Sequence, residues 1–197
     1  MKKRITAAEL MSKLNADPKF VVQRAKREEE HQKRVAEFRR AEAPLVEELR
    51  AAGFAVESVG SLLNTATPYP KALPILLEHL QRPYPGDVRE VIARALAVPE
   101  AKFGWDVLTR LFRDERDDER AKDGLAVAIA AIADDQTIGE VIALARDPQH
   151  GSSRLLLLSA LERSRDPRAL AALMELETDP DLVKEIRVIL RRLKRKR

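Results

Sequence analysis

Four basic residues, Arg89, Lys122, Arg154 and Arg187, recur at steps of 33, 32 and 33 along a chain of 197 residues. Cations at one fixed spacing can do two kinds of chemistry. Presented together on a surface, they form a track for a carboxylate-rich protein segment or a phosphate backbone. Turned inward, each bonds a carboxylate or a helix-end carbonyl of its neighbour. Candidate acids for the inward role lie at turns: Asp87, Asp118, Asp134, Asp135 and Asp166.

Three aromatics are further candidates. Tyr69 and Tyr84 each sit between two prolines, in Pro68-Tyr69-Pro70 and Pro83-Tyr84-Pro85. Proline gives each tyrosine a rigid, extended seat, suited to anchoring a ligand or to stapling the chain where a helix begins. Trp105, the only tryptophan, reads as core or as a recognition surface.

Catalytic constellations are not found. His31, His79 and His150 are dispersed, and no pair has the i, i+4 spacing of metal ligands. There is no phosphate loop, dinucleotide turn or nucleophile elbow. The run Asp114-Glu115-Arg116-Asp117-Asp118-Glu119 interleaves its carboxylates with arginine and lacks calcium-loop spacing, so it reads as a solvated turn. With no cysteine there is no disulfide, thiolate site or thiol nucleophile. The expectation is a protein that is not an enzyme and needs no cofactor or metal.

The elements that must position the ladder are set by the residues around each base. An aliphatic residue stands at +3 (Ile92, Leu125, Leu157, Leu190), and the first three copies add Ala95-Leu96, Ala128-Ile129 and Ala160-Leu161. These are helical stripes, and a period near 33 denotes stacked helical units. Each ladder helix is preceded by another carrying an i, i+4 pair: Leu73/Leu77, Val107/Leu111, Val141/Ala145 and Leu170/Met174. The dipeptides Asp147-Pro148, Asp166-Pro167 and Asp179-Pro180 supply a cap and a first helical residue.

Towards the N-terminus, Thr6-Ala7-Ala8-Glu9 has the form of a capping box opening a short helix through Leu14. Asp17-Pro18 starts a long helix expected to end near Pro44, with residues 24–34 almost wholly polar and stabilised by charges three to four apart. Short helices are expected at 44–52 and 57–64. The apolar seam of the long helix is too interrupted for a coiled coil, which leaves the oligomeric state open.

The hydrophobic content of 45% with only 4% aromatics fits an all-α chain with small side chains at close helix contacts. No run of 18 apolar residues marks a membrane span, and no apolar run succeeds the basic Met1–Arg4 start to make a signal peptide, so the expected location is cytoplasmic. The net charge of +4 is uneven: residues 1–43 carry +5, residues 184–197 carry +7, and the intervening body carries −8. A uniformly basic nucleic-acid groove would not have this distribution.

The fragments Asp87-Val88-Arg89 with Ala95-Leu96, and Ala160-Leu161 with Asp166-Pro167-Arg168-Ala169, resemble HEAT repeats over roughly residues 70–193. The resemblance implies an α-solenoid, or superhelix, of about four helix pairs (residues 67–197) behind an N-terminal helical cap (residues 1–66). It implies that the second helices line the concave face, which would set Arg89, Lys122, Arg154 and Arg187 in one row there. HEAT-like repeats also commonly use an arginine at this position structurally. Leu193-Lys194 stands where the repeat has Ala-Leu, as in a polar capping unit. The functional expectation is a non-enzymatic scaffold that recognises a protein of acidic or mixed surface along the concave face. The alternative is nucleic-acid binding through the ladder and the basic ends. Within that alternative, some HEAT-like proteins are DNA glycosylases, with Trp105 and Asp123 as candidate site residues.

Overall fold

Asp-Pro dipeptides open two α-helices, at Pro18 and Pro167, a 3-10 segment at Pro148 and the turn that leads to Val183, and their side chains show how. In each, the aspartate Oδ1 accepts the backbone N–H two residues on: Lys19 to Asp17, Gln149 to Asp147, Arg168 to Asp166 and Asp181 to Asp179, at 2.8–2.9 Å. These bonds satisfy donors that the first helical turn leaves free, while proline supplies a residue with no donor to lose.

The computed structural model describes residues 6–195. Met1–Arg4, Lys196 and Arg197, which belong to the basic ends, lie outside the described residues, as does the Glu9 side chain of the capping box. Ten α-helices are present among the described residues: α1 (Ala7–Asn15), α2 (Pro18–Ala51), α3 (Leu73–Leu80), α4 (Gly86–Ala95), α5 (Trp105–Asp114), α6 (Glu119–Ile132), α7 (Ile138–Arg146), α8 (Arg154–Arg163), α9 (Pro167–Leu176) and α10 (Val183–Arg195). Short 3-10 segments interrupt them at Val59–Asn64, Pro70–Ala72, Pro99–Gly104 and Pro148–Ser153. No strand occurs among the described residues, and none of their helices is long and apolar enough to cross a membrane.

The chain divides into two units, residues 1–40 and 41–197, with the boundary inside α2. The first unit contains α1 and the polar part of α2. Its helix is supported as the charge pattern implies, by Lys33–Glu29 at 2.7 Å, Lys26–Glu30 at 3.9 Å and a Gln32–Glu28 hydrogen bond at 3.0 Å.

Residues 41–66 belong with the second unit because their apolar side chains are core: Leu45, Val46 and Leu49 are at most 5% exposed. That burial also explains why α2 does not end at Pro44. Proline removes one backbone donor, but the next turn of the helix is locked in place by these three residues. Buried Glu42 ties down residues 58 and 59, its Oε2 accepting from the Val59 N–H at 2.9 Å and from the Ser58 hydroxyl at 3.0 Å. The chain beyond this tether forms the 3-10 helix Val59–Asn64, within the span of the short helix expected at 57–64.

From residue 70 onward helices pack in consecutive pairs, α3 with α4, α5 with α6, α7 with α8 and α9 with α10. The second members also pack in succession, α4 on α6, α6 on α8 and α8 on α10. Ile92, Leu125 and Leu157, the +3 residues of the ladder, are fully buried in this row, and so are Leu96 and Ile129. Each such aliphatic contributes about 1.5–3 kcal/mol of burial. At Gly124 α6 meets the backbone of α4: a Cβ there would lie 2.8 Å from both the Cα and the carbonyl oxygen of Glu90.

Candidate functional site: the second-helix face and its ladder

The ladder bases are brought to equivalent places, but their heads do not form an open row. Arg154 is 1% exposed. Its Nη1 donates to Asp179 Oδ2 at 2.6 Å, its Nη2 reaches Asp181 Oδ2 at 3.4 Å, and its Nε donates to the Gly151 carbonyl at 3.0 Å. Arg89 pairs with the Glu115 carboxylate in the same manner. The acids stand 26 and 25 residues beyond their arginines, in the adjoining helix pair, so each arginine clasps one pair to the next. Arg154 holds the Asp179 carboxyl below the usual carboxylate range, helped by the Asp181 and Leu182 backbone N–H groups. Burial pushes Glu115 up, but the Asp118 N–H and Arg89 outweigh it and hold it down.

Lys122 departs from the rule because an ammonium on a shorter stem cannot reach as far. It is 7% exposed, donates to the Glu115 carbonyl at 2.7 Å, and lies 5.1 Å from the centroid of the Phe112 ring. Phe112 in turn packs on His150, with centroids 4.6 Å apart. His150 is buried, its Nδ1 has no hydrogen-bond partner among the described residues, and its Nε2 is 3.7 Å from Asp147. Burial and the Lys122 charge lower its pKa against the pull of Asp147. Burial likewise lowers that of Lys122, with Arg116 adding to the effect. Arg187, the fourth base, is largely exposed and meets Glu177 at 3.1 Å.

The aromatic candidates are also engaged internally. The Tyr69 hydroxyl donates to the Ala95 carbonyl at 2.9 Å, joining the segment before α3 to the end of α4. Tyr84 lies 2.7 Å from Nδ1 of fully buried His79, whose Nε2 is 2.8 Å from Glu48 on α2. With Glu48 as acceptor the neutral ring carries its proton on Nε2, so Nδ1 accepts the Tyr84 hydroxyl. The Trp105 indole N–H donates to Glu140 Oε2 at 2.6 Å, and Arg113 pairs with the other oxygen of the same carboxylate. Asp123 accepts the Ser153 hydroxyl at 2.7 Å. The two residues suggested for glycosylase chemistry therefore each spend a polar atom on α7 and the segment before α8.

Two features escaped the sequence reading. Arg113 and Arg146 form a second ladder on the first helices, 33 residues apart, pairing with Glu140 and Glu175. The shared period was the available signal. The other is a groove of about 670 Å³ across α6, α8 and α10, lined by Val127, Ala131, Leu155, Leu156, Leu158 and Ile189. Its rim is charged with both signs: Glu162, Arg163, Asp181, Lys184, Glu185 and Arg192. Arg192 pairs with Glu162 at 3.0 Å and with Glu185 at 3.3 Å. Among the described residues no three His, Asp or Glu side chains are grouped to hold a metal ion.

No family model, curated protein or solved structure matches the chain.

Proposed function

We propose that this chain is a non-enzymatic scaffold of about four HEAT-like helix pairs, α3–α4 through α9–α10, stacked as an α-solenoid. It takes a protein partner along the face made by its second helices and works in the cytoplasm. The observation that carries the reading is the groove across α6, α8 and α10, an open apolar strip with a charged rim on the row of helices that the ladder marks. Apolar surface of this kind, edged by polar groups, is where partner helices or extended segments dock. The rim carries both signs, which suits a partner of mixed rather than uniform charge.

Nucleic-acid binding is the alternative. It draws on the exposed bases Arg187, Arg191 and Lys194 of α10, while Arg89, Lys122 and Arg154 already have internal partners.

Crosslinking of the full chain in extracts of its native cells tests the proposal, because Lys184 on the groove rim is an exposed amine. Expected is at least one protein crosslinked at Lys184 by the wild type and lost with Leu155→Glu, at unchanged melting temperature. Recovery of the same proteins by both forms, or of nucleic acid alone, overturns it.

A further inference from the structure

The last ladder base differs from the first and the third. Arg89 and Arg154 each hold a carboxylate presented just beyond a first helix, Glu115 after α5 and Asp179 after α9. Arg187 occupies the same ladder position on α10, yet its side chain is 65% exposed and that side chain's only partner among the described residues is Glu177. Around it a recess of about 400 Å³ is lined by Arg187, Leu190, Arg191, Lys194 and Glu177. Arg187, Leu190, Arg191 and Lys194 fall at i, i+3, i+4 and i+7, on one helix face. The Arg191 Nε donates to the Arg187 carbonyl, and Lys194 is exposed.

We propose that this face of α10 binds the acidic end of a helix from another protein, one that presents two carboxylates beside an aliphatic residue. The chain's own α9 end is the pattern: Asp179, Asp181 and Leu182 are what Arg154 and its surroundings accept. Three cations against one carboxylate give the recess an excess of positive charge for such a segment. Two features favour a protein carboxylate over a phosphate backbone. Leu190 gives the recess an apolar contact that phosphate has no use for, and Glu177 faces into it and repels a continuous polyanion. The surface shares no lining residue with the groove across α6, α8 and α10.

The test uses the full chain and a fluorescent peptide of its residues 167–182, stapled between positions 171 and 175 and confirmed helical by circular dichroism. Expected is saturable binding, weakened at least about tenfold by Arg187→Glu and Arg191→Glu in the protein and by Asp179→Asn with Asp181→Asn in the peptide. Arg187 and Arg191 are exposed, so the variants should melt with the wild type, and Leu155→Glu should leave this binding unchanged. Absence of saturation by the helical peptide at about 1 mM overturns the proposal. So does equal binding of the asparagine peptide, or a short duplex DNA whose binding Arg187→Glu abolishes while the peptide is indifferent to it.

Discussion

Arg154 Nη1 donates to Asp179 Oδ2 across 2.6 Å, while the arginine as a whole is 1% exposed. A charge so placed is tolerable only because carboxylates and carbonyls surround it, and removing either partner strands the other. Arg154→Ala is expected to cost about 2–4 kcal/mol in chemical denaturation, somewhat below a wholly dry pair because Asp179 keeps some exposure. Arg154→Lys should recover only part, since one ammonium cannot span Asp179, Asp181 and the Gly151 carbonyl together. A double-mutant cycle with Asp179→Asn should give a coupling above about 1 kcal/mol; additive losses would disprove the clasp.

Gly124 is the point at which α6 leans on the backbone of α4. Gly124→Ala raises helix propensity, which on a free helix stabilises by up to about 1 kcal/mol. Here the added methyl meets Glu90 backbone atoms at 2.8 Å, and backbone cannot swing aside. A net loss of about 1–3 kcal/mol is expected. A gain in melting temperature would show that the two helices are more loosely packed.

Much of the helical frame was legible in the sequence, because periodicity and Asp-Pro chemistry act locally. The stripe Ile92, Leu125, Leu157 proves to be core, and the Asp-Pro caps form their bonds. Where the reading failed, long-range packing decided. Leu170 and Met174 mark a helix by their i, i+4 spacing, but α9 is rotated to bury Ala169, Ala172, Leu173 and Leu176, leaving Met174 62% exposed. On α5 it is Leu108 and Phe112, one position on from Val107 and Leu111, that are fully buried. The partners of His79, Trp105 and Arg154 lie 25–35 residues away in sequence, beyond any local pattern.

His150 makes stability depend on mild acid. Its folded pKa is lowered from 6.5, first by burial and then by Lys122, Arg116 and Arg113, with Asp147 opposing. The unfolded chain therefore binds the proton first as pH falls. The stability contributed by the neutral ring is full above pH 6.5 and is lost as pH falls from there through the lower folded value. Thermal melts between about pH 7.5 and 5 should decline, and His150→Gln should flatten that decline. An unchanged slope in the variant would assign the effect elsewhere.

Trp105, the sole tryptophan, reports on the Glu140 clasp. Burial raises the Glu140 carboxyl, but Arg113 and the indole N–H outweigh it and lower its pKa from 4.5. The clasp is intact above pH 4.5 and its contribution is lost as pH falls through the lower folded value. Tryptophan emission should hold steady down to about pH 4.5 and shift below it. Glu140→Gln should show altered emission already at neutral pH; emission identical to the wild type would mean that the indole does not meet this carboxylate in solution.

The most direct measurement sets Arg154→Ala beside Leu155→Glu, adjacent residues assigned opposite jobs, and records melting temperature and partner crosslinking at Lys184 for both. Arg154→Ala is expected to melt well below the wild type and, at temperatures where it stays folded, to keep its partner, whereas Leu155→Glu should melt like the wild type and lose it. If Arg154→Ala melts with the wild type and loses the partner instead, the ladder is the recognition surface and the groove is not.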